Sequence, residues 1–143
     1  MTATVDGLLD QLRRQDLSVP EPGRSLTIAE TAERTGVSAH TLRYYERIGL
    51  LAVGRDAAGQ RRYTADDFAR VVFLTRLRLT GMPIRELTRY VELVGAGPGT
   101  EPERLAMLLD QRARVIDQIA ELQLALSTID YKITTYGGLC GPT

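Results

Sequence analysis

Four side chains that can hydrogen-bond to nucleic acid recur at helical spacing between residues 40 and 47. His40, Arg43, Tyr44 and Arg47 share one face of a predicted helix, because residues three and four apart are neighbours on a helix surface. Arginine can read guanine edges or bind phosphate, and a tyrosine hydroxyl can position against phosphate. This basic and aromatic stripe suits a helix in a DNA major groove. The alternative is a solvated face, since surface helices are commonly polar.

The opposite face of the same predicted helix is apolar. Leu42, Tyr45 and Ile48 occupy it, and their spacing suits packing against a preceding helix. We therefore expect this helix to be held by its apolar side, with the stripe directed outward.

The positive charge of the chain is concentrated around this stretch. The whole sequence carries 18 basic and 18 acidic residues, a balance that is not typical of nucleic-acid binders. Residues 40–63, however, hold five arginines against two acids, whereas residues 96–143 hold four basic residues against six acids. The local excess of cations has the distribution expected of a phosphate contact.

Start and stop signals along the chain predict the helices that position the stripe. Thr27 with Glu30 fits a capping box, and Ser38 fits a lone N-cap. Glycines follow the apolar-periodic runs and supply the stop signals. The predicted helices span residues 28–35, 39–48, 65–80, 83–94 and 101–136.

Residues 51–63, between the second and third predicted helices, predict a small β-hairpin. Two β-compatible stretches flank a turn-rich Asp-Ala-Ala-Gly centre. Arg61, Arg62 and Tyr63 close the hairpin and would bring further cations beside the same groove or its phosphates. Helix, tight turn, helix and hairpin, in that order, predict a winged helix-turn-helix in a mostly α fold.

The motifs of this region resemble the MerR family of bacterial transcription regulators. The resemblance rests on residues 27–38, on the run Leu-Arg-Tyr-Tyr-Glu-x-x-Gly-Leu at 42–50, on Arg-Arg-Tyr at 61–63, and on residues 76–87, which are similar to the family's second helix pair. It covers about residues 26–136 of the chain.

The resemblance implies a sequence-specific transcription regulator whose dimer binds a pseudo-palindromic promoter operator in double-stranded DNA. The dimer would distort the promoter so that RNA polymerase can engage it. The operator contacts that the resemblance implies are Arg43, Tyr44, Tyr45, Arg61, Arg62 and Tyr63, with His40 and Arg76 as further candidates. Periodicity places Tyr45 on the packing face, and a tyrosine can combine a packed ring with an outward hydroxyl.

The last predicted helix carries an apolar seam with alternating spacings of three and four residues, which Arg112 alone interrupts. The seam predicts a coiled coil, and a helix of this length cannot bury the whole seam against a small domain, so we expect a homodimer. Its predicted dimerisation residues are Leu105, Leu108, Val115, Ile119, Leu122, Leu126, Ile129 and Ile133. The family resemblance, and not the periodicity, implies that the two helices are antiparallel.

Cys140 is the single cysteine of the chain, which excludes an internal disulfide and a site of several cysteines within one chain. We expect no metal site and no cofactor. Because only residues 137–143 follow the seam, we also expect no large effector domain. The Cys140 thiol is a candidate redox or electrophile sensor, and the alternative is an inert thiol in a short tail.

We expect four segments along the chain. These are an N-terminal extension at residues 1–24, which could contain a short helix and a linker, the DNA-binding domain at residues 25–95, the dimerisation coiled coil at residues 96–137 and a short tail at residues 138–143. No run approaches the roughly 20 apolar residues of a membrane span, and residues 1–24 lack the apolar core of a signal peptide. We therefore expect a cytoplasmic protein without a membrane partner.

Other functions remain as alternatives at the level of sequence. An architectural or recombination-associated DNA-bending protein shares the winged fold but usually lacks a long dimerisation helix. A coiled-coil interaction module would have no DNA role. We do not expect an enzyme, because the chain has one histidine and one cysteine, far apart in sequence, and no phosphate loop or metal-spaced cluster.

Overall fold

Helices dominate the chain, with one small hairpin between the second and the third helix. The computed structural model describes residues 20, 21 and 23–139. The elements are α1 Ile28–Thr35, α2 Ala39–Arg47, β1 Gly54–Arg55, β2 Arg61–Arg62, α3 Ala65–Leu79, α4 Ile84–Gly95, a 3-10 turn at Pro98–Thr100 and α5 Glu101–Thr135. The predicted order of elements is confirmed, and each predicted helix end lies within one residue of the observed end.

The start of each of the first three helices is fixed by a side-chain cap. The Thr27 hydroxyl accepts a hydrogen bond of 3.1 Å from the Glu30 backbone N–H, and the Glu30 carboxylate accepts one of 3.0 Å from the Thr27 N–H. Thr64 and Asp67 form the same reciprocal box before α3. Ser38 accepts from the backbone N–H of Thr41 before α2. These bonds satisfy amides that a helix leaves without a partner.

The first four helices share one core. α1 packs against both α2 and α3, and α4 packs against α3. Gly36, with φ 75°, lies in the left-handed region that glycine adopts without steric cost, so α1 ends there and the chain turns into α2. Leu42 of α2, Phe68 of α3 and Leu87 of α4 are fully buried.

The hairpin is short and is anchored at its base and at its tip. β1 and β2 are antiparallel strands of two residues each, which confirms the predicted hairpin. At the tip, the Asp56 carboxylate accepts from the backbone N–H groups of Ala58 and Gln60, at 3.0 and 2.9 Å. At the base, Leu26 and Tyr63 exchange two backbone hydrogen bonds of 2.8 Å, which join the hairpin to the segment before α1.

The chain divides into two compact units, with the boundary between Glu101 and Pro102. In the second unit α5 is one uninterrupted helix of 35 residues, about 52 Å long at roughly 1.5 Å per residue. Within residues 20–139, no helix combines the length and apolar character needed to cross a membrane.

The predicted seam of α5 is largely uncovered in the single chain. Leu122 is 70% exposed, and two members, Leu108 and Val115, are half-buried. The remaining exposed members are Leu105, Ile119, Leu126, Ile129 and Ile133. Large apolar side chains that line one surface of a soluble helix indicate an interaction surface.

Candidate nucleic-acid interface

Helix α2 presents a polar face outward and an apolar face to the core. His40, Arg43 and Arg47 are exposed, and Tyr44 is 36% exposed. Leu42 on the other face is fully buried. The division into two faces that the helical spacing predicts is confirmed.

Arg47 and Tyr44 form a pair on the outward face. The guanidinium carbon of Arg47 lies 5.5 Å from the centre of the Tyr44 ring, within the range of a cation–π contact. The contact orients both side chains side by side along the exposed surface of α2.

Tyr45 lies on the packing face, as its periodicity predicts. Its side chain is 5% exposed, and burial raises the pKa of its hydroxyl above the ordinary value. Its backbone carbonyl accepts hydrogen bonds from the N–H groups of Leu50 and Leu51, at 2.8 and 3.3 Å. The Tyr45 ring thus anchors α2, and its contact with DNA stays a prediction.

The hairpin, which we call the wing (residues 54–62), is tied to α2 by one carboxylate. Glu46 accepts a hydrogen bond from Nε of Arg61 on β2, and its second oxygen lies 3.6 Å from Nη2 of Arg55 on β1. Nη1 of Arg55 also donates to the carbonyl of Gly59, at 3.0 Å. Both strands of the wing therefore carry an arginine that faces Glu46.

Arg62 holds the wing to the segment before α1. Its Nε donates to the hydroxyl of Ser25 at 2.9 Å, and its Nη2 donates to the Ser25 carbonyl at 2.8 Å. Arg61 and Arg62 are both half-buried, so each combines an internal hydrogen bond with partial access to solvent. Their operator contacts stay predictions.

Tyr63 is placed inside the protein and not on its surface. The side chain is 0% exposed, and among the residues that the structure describes its buried hydroxyl has no hydrogen-bond partner. Burial raises the pKa of this hydroxyl, and the nearby Glu46 carboxylate adds to the rise. The structure therefore brings the Arg61 and Arg62 side chains to the wing surface and leaves the Tyr63 ring in the core.

The other predicted site residues lie outside α2 and the wing, or outside the residues that the structure describes. Arg76 is exposed on α3. The candidate sensor Cys140 lies outside the described residues. The short helix predicted within residues 1–24 also lies outside them, since only residues 20, 21, 23 and 24 of that segment are described. Among residues 20, 21 and 23–139, no three histidine, cysteine, aspartate or glutamate side chains group so that they could hold a metal ion.

The sequence pattern alone does not single out Glu46, Arg55 or Ser25 as site residues. Glu46 and Arg61 are 15 residues apart, and Ser25 and Arg62 are 37 apart. Glu46, one of two acids among the arginines of residues 40–63, was the available signal. Its meaning depends on where the hairpin folds, which the residue pattern does not determine.

Comparisons with known proteins agree with this architecture. Residues 26–93 match the family model described as MerR HTH family regulatory protein. An uncharacterized HTH-type transcriptional regulator of Haemophilus influenzae is 41% identical over 111 residues, which are 77% of this chain and 82% of that protein. The HTH-type transcriptional regulator AdhR of Bacillus subtilis is 38% identical over 93 residues, covering 64% and 66% of the two chains.

Solved structures show the same likeness. The crystal structure of HiNmlR, described as a MerR family regulator lacking the sensor domain and bound to promoter DNA, aligns with a TM-score of 0.73 at 40% identity, over 79% of this chain and 90% of that chain. A putative MerR family transcriptional regulator from Listeria monocytogenes aligns with the same TM-score of 0.73 at 38% identity, over 79% and 86%. With its winged helix-turn-helix and long C-terminal helix, the chain belongs to the MerR family of DNA-binding transcription regulators.

Proposed function

We propose that this regulator acts as a homodimer that binds a pseudo-palindromic promoter operator through α2 and the wing and distorts the DNA between its half-sites. The observation that carries the proposal is the outward face of α2, with the wing arginines beside it. The regulator HiNmlR, 40% identical, is bound to promoter DNA in its crystal structure, which supports promoter DNA as the partner.

The outward face of α2 supplies the groups for reading bases. His40 is exposed in the first turn of the helix and Arg43 at its middle, and helix-turn-helix proteins direct the N-terminal part of this helix at base edges. Tyr44 and Arg47 lie beside them as a cation–π pair, suited to phosphate contacts. In this assignment Arg43 reads sequence, and the pair fixes the register of α2 on the backbone.

The wing supplies the flanking phosphate contacts. Arg55, Arg61 and Arg62 all lie on its two strands, and a guanidinium has five N–H donors. Each arginine therefore keeps N–H donors for phosphate in addition to those that it uses within the protein. Tyr63 acts in this assignment as the core anchor at the base of the wing and makes no side-chain contact with DNA.

The seam of α5 supplies the dimer interface. Covering Leu122 and its exposed neighbours with a second copy would remove a large apolar surface from water. A symmetric dimer of this chain would present two copies of α2, which suits two inverted half-sites. The antiparallel orientation of the two helices is part of the proposal and rests on the family resemblance.

Promoter distortion is the proposed regulatory step. Bending or untwisting a site of this length costs several kcal/mol, which protein–DNA contacts can offset. RNA polymerase would engage both promoter elements only after the distortion has changed their relative orientation. The dimer would thus act on the polymerase through the shape of the DNA.

Selection from a random-sequence DNA pool tests the proposal. The full chain is incubated with the pool, and the bound duplexes are recovered and sequenced over several rounds. We expect an enriched motif with two inverted half-sites, and circular-permutation electrophoresis should show that the selected duplex bends when bound. An enriched motif without inverted symmetry, or no enrichment, would contradict the proposed dimeric reading.

A further inference from the structure

The Glu46 carboxylate is the one described acid that contacts both strands of the wing. It lies near the C-terminal end of α2, and its two oxygens face Nε of Arg61 and Nη2 of Arg55. The Glu46 and Arg61 side chains are only 21% and 25% exposed, whereas Arg55 is 48% exposed. Partial burial of the Glu46–Arg61 pair reduces solvent screening of their interaction, so it is stronger than an open surface pair.

This arrangement has two opposite effects on DNA binding. It places a negative charge beside the cations that would neutralise phosphates, which weakens binding to any DNA sequence. It also restrains the wing relative to α2, because Arg61 on β2 is hydrogen-bonded to Glu46 and Arg55 on β1 lies within ion-pair distance of the same carboxylate. The first effect acts on all DNA, and the second matters only where α2 is seated on its correct site.

We propose that Glu46 is a specificity-determining residue, which restrains the wing arginines on non-cognate DNA and positions them for the operator. The inference rests on the proposed binding of DNA through α2 and the wing. Specificity is the difference between the binding free energies for the operator and for other sequences. A group that weakens binding to other sequences therefore raises specificity as effectively as an additional contact with the operator does.

The test compares Glu46→Gln with a matched control. Glutamine keeps an oxygen acceptor for Arg61 and removes the charge. Glu33→Gln makes the same change of charge at an exposed position of α1. Fluorescence anisotropy measures the affinity for the selected operator duplex and for a shuffled duplex of the same composition, at several KCl concentrations.

For Glu46→Gln we expect tighter binding to the shuffled duplex, by about 3- to 10-fold, because the released wing cations neutralise more phosphate charge. The logarithm of this affinity should fall more steeply with the logarithm of the salt concentration, by about 0.9 for each additional phosphate contact. The ratio of operator to shuffled affinity should fall at least about fivefold. Glu33→Gln should keep the wild-type slope and ratio.

Two further variants separate this role from a structural one. Glu46→Asp keeps the charge on a shorter side chain, and the salt slope should stay close to that of the wild type. In the Arg61→Gln variant, the additional change Glu46→Gln should raise the affinity for the shuffled duplex much less than it does in the wild-type protein. Equal weakening on both duplexes with an unchanged ratio, or no change on either, would overturn the inference.

The outcome is distinguishable from a failure of the proposed function. If α2 and the wing do not bind DNA, Arg43→Ala will leave operator binding unchanged. If they do bind DNA and Glu46 has no role in specificity, Arg43→Ala will weaken operator binding while Glu46→Gln behaves like Glu33→Gln.

Discussion

Truncation of Leu122 should weaken the dimer, and truncation of Leu124 should not. Both leucines are exposed to the same extent in the single chain, at 70% and 71%, and both lie in the middle of α5. Only Leu122 belongs to the seam with alternating spacings of three and four. Leu→Ala changes helix propensity little, and it changes it equally at both positions, so the pair isolates the effect of the seam.

The exposure of Leu122 sets the expected magnitude. Complete burial of a leucine side chain is worth roughly 1.5–3 kcal/mol, and because 70% of Leu122 is exposed, a partner can contribute at most about 1–2 kcal/mol per copy. A symmetric dimer buries two copies, and alanine retains part of the contact. We therefore expect a loss of about 2 kcal/mol, or a dissociation constant raised about 30-fold.

Sedimentation equilibrium over a range of protein concentrations measures both dissociation constants, and far-UV circular dichroism verifies that α5 stays helical in each variant. Leu124→Ala should stay within about threefold of the wild type, as expected of a surface substitution outside the interface. If Leu124→Ala weakens association as much as Leu122→Ala, or if neither variant does, the seam is not the dimer interface.

Four further outcomes follow from the described contacts. Tyr63→Phe removes a buried hydroxyl without a described partner, so urea unfolding should show equal or higher stability and operator affinity should not fall; a loss of operator affinity would return Tyr63 to the DNA contacts. Leu42→Ala should cost about 2–5 kcal/mol of unfolding free energy, against less than about 0.5 for the exposed His40→Ala, and equal costs would refute the assigned faces of α2. The hydrogen bond from the Thr27 backbone N–H, and after it the Thr27 hydroxyl, lower the pKa of Glu30. The ionised Glu30 carboxylate therefore stabilises the folded protein above the ordinary glutamate pKa, and this contribution is lost as the pH falls through the lowered value. Urea unfolding at several pH values should show that Glu30→Gln removes this part of the loss of stability in acid, whereas Glu33→Gln keeps it. Spin labels at Thr134, in a Cys140→Ser background, should lie tens of Å apart in an antiparallel dimer about 52 Å long, whereas a distance near 10 Å, typical of adjacent helices, would establish a parallel one.

The sequence predicts the helices of this fold well because their signals are local. The capping box of Thr27 with Glu30 and the left-handed Gly36 both depend on residues within a few positions, and the two faces of α2 follow from a fixed helical period. The seam of α5 is predicted for the same reason, and the second copy that would cover it belongs to the proposal.

The sequence predicts the wing contacts poorly because they are not local. Whether Tyr63 points outward or inward depends on its backbone pairing with Leu26, 37 positions earlier in the chain. The same holds for Glu46, whose partners come from both strands of the hairpin. A pattern of residue types shows that the cations are present, and only the folded hairpin determines which of them are already paired.

If α2 reads DNA with its outward face, Arg43→Ala and Arg85→Ala should differ sharply in their affinity for the operator. Both arginines are exposed, and both substitutions remove one positive charge, but Arg85 lies on α4 and has no part in the proposed interface. We expect Arg43→Ala to cost about 1–3 kcal/mol per half-site and to relax the sequence preference at one base pair. Arg85→Ala should stay within about threefold of the wild type and keep the full preference. Wild-type affinity and wild-type sequence preference in Arg43→Ala would contradict the account.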